Sequence, residues 1–110
     1  MRKFEDTYRH KGMRKKLIDS IREKGITDER VLEAMNNIPR HFFLDTALDN
    51  IAYEDRAFPI AEGQTISQPY TVAYQTELLQ VTPQEKVLEI GTGSIYQATV
   101  LAEMGAKVFT

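Results

Sequence analysis

Two stretches of the chain have the residue types and spacing to do chemistry. The first is the strand-like run Lys86-Val-Leu-Glu-Ile90, which leads into Gly91-Thr-Gly-Ser94 and then into a helical pattern from Tyr96. Glycines at such a turn let the backbone bend sharply and approach a ligand, while the helix behind them offers N–H groups that have no intrahelical partner. That order is a nucleotide-binding signature. Turns also use glycine freely, so the loop alone is evenly balanced between ligand binding and a plain turn. Glu89 stands two residues before the first glycine, which departs from the dinucleotide fingerprint, and no lysine follows the loop, which excludes a phosphate-cradling P-loop. The second stretch is Glu62-Gly-Gln-Thr-Ile-Ser-Gln-Pro-Tyr70, inside a segment, 53–69, with no sustained period and with Pro59, Gly63 and Pro69 as punctuation. Long connections of this kind often carry function. On its residues alone, Ser67 reads as an ordinary loop or helix-cap serine before Pro69.

The elements that must position these stretches follow from periodicity. Met13, Leu17, Ile18 and Ile21 recur at helical steps amid charges, predicting an amphipathic helix that ends near Gly25. Thr27 or Asp28 can cap a second helix, with Val31, Leu32, Met35 and Ile38 on one face and Pro39 as its stop, and the two helices are expected to pack together. Arg40-His-Phe-Phe-Leu44 is an aromatic knot in which Phe42 and Phe43 read as core anchors, followed by a short helical stretch through Asn50. Residues 53–69 read as a loop. The helical pattern returns from Tyr70 to about Gln80, with Val72, Thr76 and Leu79 on one side and Pro69 suited to the first turn; Tyr70 and Tyr74 line either a ligand-facing side or the core, and periodicity favours the core. After a polar connector, Val81 to Glu85, come a short buried strand (Lys86 to Ile90), the glycine turn, a helix from Tyr96 to Met104 and a strand starting at Lys107. This is a βαβ unit, the building block of a parallel sheet.

Composition bounds what these elements can be. With 110 residues there is room for one domain with a modest core, and no apolar run approaches the ~20 residues of a membrane span. The charged opening, Met1-Arg-Lys-Phe-Glu-Asp6, does not read as a secretory signal, and the expected compartment is the cytoplasm. The absence of cysteine removes disulfide frameworks, thiolate zinc sites and cysteine nucleophiles. Residues 1–24 hold nine of the 14 Lys and Arg but four of the 16 Asp and Glu. The cluster Arg9, Lys11, Arg14, Lys15 and Lys16 lacks interleaved aromatics and any groove-reading motif, so it reads as a solvated helix face and nucleic acid is disfavoured as a partner. His10 and His41 have no partner at metal-ligand or triad spacing and read as surface or packing residues, with no metal expected.

The two motif blocks, in this order and spacing, resemble the N-terminal part of the protein-L-isoaspartate (D-aspartate) O-methyltransferase family. Ile38-Pro-Arg-His-Phe42, Tyr53-Glu-Asp55, Phe58-Pro-Ile60 and the two N-terminal helices extend the likeness over essentially the whole chain, which corresponds to the family's first half. The resemblance implies an α/β fold: N-terminal helices followed by the first βαβ unit of a Rossmann-like S-adenosylmethionine-dependent methyltransferase, truncated. It implies a single domain, with a helical region at 1–60 and the active-site loop plus the start of the sheet at 61–110. The implied reaction is protein repair, in which the isoaspartyl carboxylate of a damaged protein is methylated, the ester collapses to a succinimide, and hydrolysis restores some aspartate. By the same likeness Ser67 is the active-site serine that orients the substrate carboxylate. The implied cofactor contacts are Gln64, Thr65, Ile66, Ser67, Glu89, Ile90, Gly91, Thr92 and Gly93. A carboxylate with a reference pKa of about 3.9 is already ionised near neutrality, so no strong base and no metal is called for. Positioning can supply roughly 7–11 kcal/mol at best.

Two departures qualify the match. Ile95 stands where the family's loop carries a further glycine, and a β-branched residue there is poorly tolerated if φ is positive; cofactor affinity is expected to suffer. The acidic residue that holds ribose hydroxyls, roughly 20 residues beyond such a loop, would fall past Thr110. The chain alone is therefore expected to be inactive and to self-associate through an exposed sheet edge as a homo-oligomer. The alternative is a non-catalytic oligomeric remnant of a methyltransferase fold.

Overall fold

The computed structural model of the chain describes residues 4–89 and 95–109. Helix α1, Tyr8–Glu23, begins a turn before the apolar periodicity, because Thr7 and His10 form a reciprocal cap: the Thr7 hydroxyl accepts from the His10 amide and the His10 ring accepts from the Thr7 amide. It ends where Gly25 takes a left-handed φ of 113°. Helix α2, Glu29–Asn36, is capped by the Asp28 carboxylate accepting from the Arg30 amide. The expected faces meet, with Leu17, Ile18 and Ile21 of α1 and Val31, Leu32 and Met35 of α2 buried in one core.

Two 3-10 turns, Arg40–Phe43 and Thr46–Ile51, follow Pro39. Here the expected anchors are only partly so, Phe43 packing against the core from its edge. Arg40 and His41 are each 1% exposed, whereas Phe42 and Phe43 are only half-buried. His41 is buried with both ring nitrogens partnered and Arg40 with its Nη2 bonded to the Arg56 and Ser67 carbonyls, whereas Phe42 packs edge-on against Phe4 and Phe43 against Tyr96.

The segment expected as a loop contains an antiparallel pair, β1 Phe58–Pro59 and β2 Thr65–Ile66, too short to show a period of two. The Ile60 amide donates to the Gln64 carbonyl at 2.8 Å, and the turn between is made by left-handed Glu62 and Gly63, with φ of 64° and 69°. Helix α3, Pro69–Leu79, has Pro69 at its first position, where the missing N–H costs nothing. Val72, Ala73 and Thr76 are buried. Leu79 is 52% exposed and Tyr74 47%, although periodicity sets them inward, since burial depends on what packs opposite.

Strands β3, Lys86–Leu88, and β4, Lys107–Phe109, are parallel, with Val87 opposite Val108 and helix α4, Tyr96–Glu103, crossing between them. The Glu89 amide extends the ladder to the Phe109 carbonyl at 2.8 Å. β3 is not the buried strand expected. Val87 and Val108 pack on Val81, Leu101 and Ala106, while Leu88 is 68% and Phe109 53% exposed on the opposite face. A helix layer covers one side of a sheet, so alternate residues of β3 remain outside. Among the described residues no helix is long and apolar enough to cross a membrane.

Candidate active site

The candidate site comprises the turn between β2 and α3 and the first turn of α4. Gln64, Thr65 and Ser67 are exposed, while Ile66 between them is 0% exposed and anchors the turn in the core. Alternation about β2 turns Thr65 and Ser67 away from the inward Ile66, while Gln64 is exposed because it lies before the strand, at the end of the turn. Ile66 therefore has only backbone to offer a ligand.

Three tertiary contacts fix this turn. Asp55 Oδ1 accepts from the Tyr70 amide at 2.8 Å and so caps α3 from a distance, since Gln68 makes no side-chain cap. The other Asp55 oxygen pairs with Lys24, whose ammonium lies 6.0 Å from the Tyr70 ring centroid. The Ser67 carbonyl accepts from Arg40 Nη2 at 2.9 Å, and the same nitrogen donates to the Arg56 carbonyl at 3.3 Å.

Arg40 also reaches the second motif. Its guanidinium carbon lies 4.9 Å from the ring centroid of Tyr96, the first residue of α4. Burial raises the Tyr96 phenol above its ordinary pKa, opposed by the Arg40 charge, and burial pushes the guanidinium down from its ordinary value. A second tie joins the helices behind the two motifs, since Gln97 Nε2 on α4 donates to Thr76 Oγ1 on α3 at 2.6 Å. Ile66, Val72 and Ala73 share one core with Tyr96 and Val100. Segments about 30 residues apart in sequence thus become neighbours.

Of the glycine-loop residues, Ile90, Gly91, Thr92 and Gly93 lie outside the described residues. Glu89 is half-buried at the end of β3, and its Oε2 is shielded from solvent without a hydrogen-bond partner. A carboxylate oxygen left so is an acceptor suited to a cationic, N–H-bearing ligand. Ile95 adopts φ −94°, so the left-handed strain feared for a β-branched residue does not arise; its side chain is 63% exposed and its carbonyl accepts from the Thr99 amide at 2.8 Å and hydroxyl at 2.7 Å.

The fold also joins His10 and His41, which sequence spacing had kept apart. Their rings stack at 3.7 Å, and with Asp6 they bring ligand-type atoms within 4.8 Å of one another. Each candidate ligand already has a partner. His10 Nδ1 accepts from the Thr7 amide at 3.2 Å, its Nε2 is 3.5 Å from Asp49, and Asp6 receives two bonds from Arg14 at 3.0 and 2.9 Å. His41 Nε2 meets the Glu5 carbonyl at 2.8 Å, which makes that nitrogen the donor, and Nδ1 then accepts from the Tyr53 hydroxyl at 2.8 Å. The hydroxyl in turn accepts from Arg14 Nη1 at 2.9 Å. The cluster is a polar clasp that fixes the N-terminal segment to α1 and the 3-10 turns.

Sequence reasoning passed over Arg40, Asp55 and Tyr96. Arg40 had one available signal, a cation placed directly after a helix-stopping proline and before an aromatic run. Asp55 and Tyr96 stood only within motif segments with no role attached, because their contacts exist only once distant segments meet.

Helices preceding a parallel βαβ unit match the start of an S-adenosylmethionine-dependent methyltransferase fold. A solved structure named protein-L-isoaspartate O-methyltransferase superposes with a TM-score of 0.75 at 30% identity, covering 86% of this chain and 32% of that one. The protein-L-isoaspartate O-methyltransferase of Cytophaga hutchinsonii is 64% identical over 97% of the chain and 48% of its own length. That of Christiangramia forsetii is 59% identical over 97% of the chain and 50% of its own. The model of the protein-L-isoaspartate(D-aspartate) O-methyltransferase family matches residues 12–110, and the chain belongs to that family. It spans about half the length of these curated relatives.

Proposed function

We propose that the chain is the half of a protein-L-isoaspartate O-methyltransferase that carries the serine turn and the opening of the cofactor site. The complete protein would methylate the isoaspartyl carboxylate of damaged proteins in the cytoplasm. The observation that carries this reading is the tertiary joining of the two motif blocks, Ser67 to Tyr96 through Arg40 and α3 to α4 through Thr76 and Gln97. In this reading residues 1–60 form the helical region, and 61–110 supply the active-site turn and the start of the sheet.

S-adenosylmethionine, when bound, supplies an electrophilic methyl group on a sulfonium. The unpaired Glu89 oxygen is an acceptor for the ammonium of such a molecule, and Gln64, Thr65 and Ser67 are exposed to contact it from the serine turn. Ile90, Gly91, Thr92 and Gly93 would contribute backbone contacts, as would Ile66. The Ser67 hydroxyl donates to the substrate carboxylate and orients one lone pair. No proton has to be removed, because the carboxylate is ionised above its pKa of about 4. Catalysis then rests on holding the nucleophile in line, and a rigid Ser67 turn serves that need.

The test uses this chain continued by the second half of the Cytophaga hutchinsonii relative. Incubated with labelled S-adenosylmethionine, it is expected to label an isoaspartyl peptide and to ignore the matching aspartyl peptide. Ser67→Ala should lower kcat by roughly 10- to 1,000-fold, the range seen when one preorganised donor is lost. Equal labelling of both peptides, or undiminished activity of Ser67→Ala, would refute the proposal.

A further inference from the structure

Arg40 is the most deeply buried charged side chain described, 1% exposed, yet its Nε and Nη1 lack hydrogen-bond partners. Its Nη2 serves two backbone carbonyls, those of Ser67 and Arg56, and its face lies over Tyr96. None of its described hydrogen bonds is to a carboxylate. Asp55, an acid that acts on it electrostatically, is engaged by Lys24 and the Tyr70 amide. A charge in such a position is costly, and an apolar side chain of similar volume would ordinarily be as stable or more so. Packing alone therefore does not account for an arginine here. What the guanidinium does, and an apolar group could not, is grip the backbone of the serine turn and the first residue of the helix behind the glycine loop at once.

We infer that Arg40 is a positioning residue for methyl transfer, a bracket that sets the Ser67 backbone against the start of α4 and so fixes the serine hydroxyl relative to the cofactor loop. The inference rests on the methyltransferase reading above. Arg40 touches neither substrate nor methyl donor; it acts through Ser67 and Tyr96. Lysine cannot replace it, since a point charge lacks both the planar fork that serves two carbonyls and the flat face that covers a ring.

The test uses the completed protein described above. Arg40→Lys is expected to lower kcat about 10- to 100-fold with KM for the isoaspartyl peptide changed less than about threefold, because a misplacement of about 1 Å can cost 100-fold in rate. Arg40→Met, whose flexible apolar chain fills the same space, should fold at least as well and be equally impaired. In the Ser67→Ala background, Arg40→Lys should have no further effect on kcat. Amide hydrogen exchange should rise in Arg40→Lys only across residues 64–72 and the first turn of α4. The inference is overturned if kcat of Arg40→Met stays within about twofold of the parent, if the effects of Arg40→Lys and Ser67→Ala multiply, or if exchange rises evenly through the protein. The exchange experiment needs no turnover, so it decides on Arg40 even if the parent protein fails to methylate the peptide and the methyltransferase reading falls.

Discussion

At Ile95 the backbone sits at φ −94°, and the carbonyl is used by both the amide and the hydroxyl of Thr99. Glycine is thus not demanded by the local geometry, and any penalty of the isoleucine lies in the space its exposed side chain takes at the mouth of α4. The two possibilities separate experimentally. Ile95→Gly is expected to tighten S-adenosylmethionine binding to the completed protein in calorimetry, while lowering unfolding stability by roughly 0.5–1 kcal/mol from the added backbone freedom. A gain in stability would show that the isoleucine is strained after all. Unchanged affinity would show that its side chain stands clear of the ligand.

Among the elements, the polar contacts between helices set the pH response. His41 is held below its ordinary pKa chiefly by burial, with the stacked His10 adding to the effect. Arg14, Asp6, Asp49 and Tyr53 also bear on this clasp. With the folded value depressed, the unfolded chain takes up a proton first as the pH falls below about 6.5, so stability is lost on acidification through that window. Urea unfolding at pH 7.5 and 5.5 should show this loss, and His41→Asn should flatten it. Asp6 acts at lower pH: its hydrogen bond from Arg14 lowers its pKa, and its contribution fades only as the pH drops below about 3.8. A separate lock joins α3 to α2, where Glu77 accepts from the amides of Thr27 and Asp28, each at 2.8 Å. Replacing Glu77 with alanine leaves both donors unserved and should cost about 1–2 kcal/mol, read as a lower urea midpoint with an unchanged slope.

For the molecule as a whole, the consequence of a two-stranded parallel sheet is its uncovered face. Leu88 and Phe109 lie opposite one another across β3 and β4 and are more than half exposed, with Leu78 of α3 also exposed at 64%. Parallel sheets are ordinarily covered on both faces. The 110-residue chain is therefore expected to self-associate with increasing concentration in sedimentation velocity, and Leu88→Lys with Phe109→Lys should shift it to monomer. Monomeric behaviour of the unaltered chain at high concentration would count against this expectation. In the completed protein the same two lysines should instead impair folding, if the second half supplies the cover.

The sequence alone determined what depends on neighbours along the chain. Helical steps at Met13 to Ile21 and Val31 to Met35, the Asp28 cap, Pro69 at the start of α3, and the strand β3 and helix α4 all rest on local sterics and hydrogen bonding, and local rules read them correctly. The order and spacing of the two motif blocks were enough for the family. Tertiary structure decided the rest, because burial is a property of what packs opposite. It left Phe42 and Phe43 half-buried at the rim of the core and drew Arg40 and His41 inward, paired β1 with β2 inside an apparent loop, and left Leu79 and Leu88 in solvent. It also brought Arg40 between Ser67 and Tyr96, a contact whose partners lie 27 residues apart on one side and far further on the other in the chain, where no periodicity connects them.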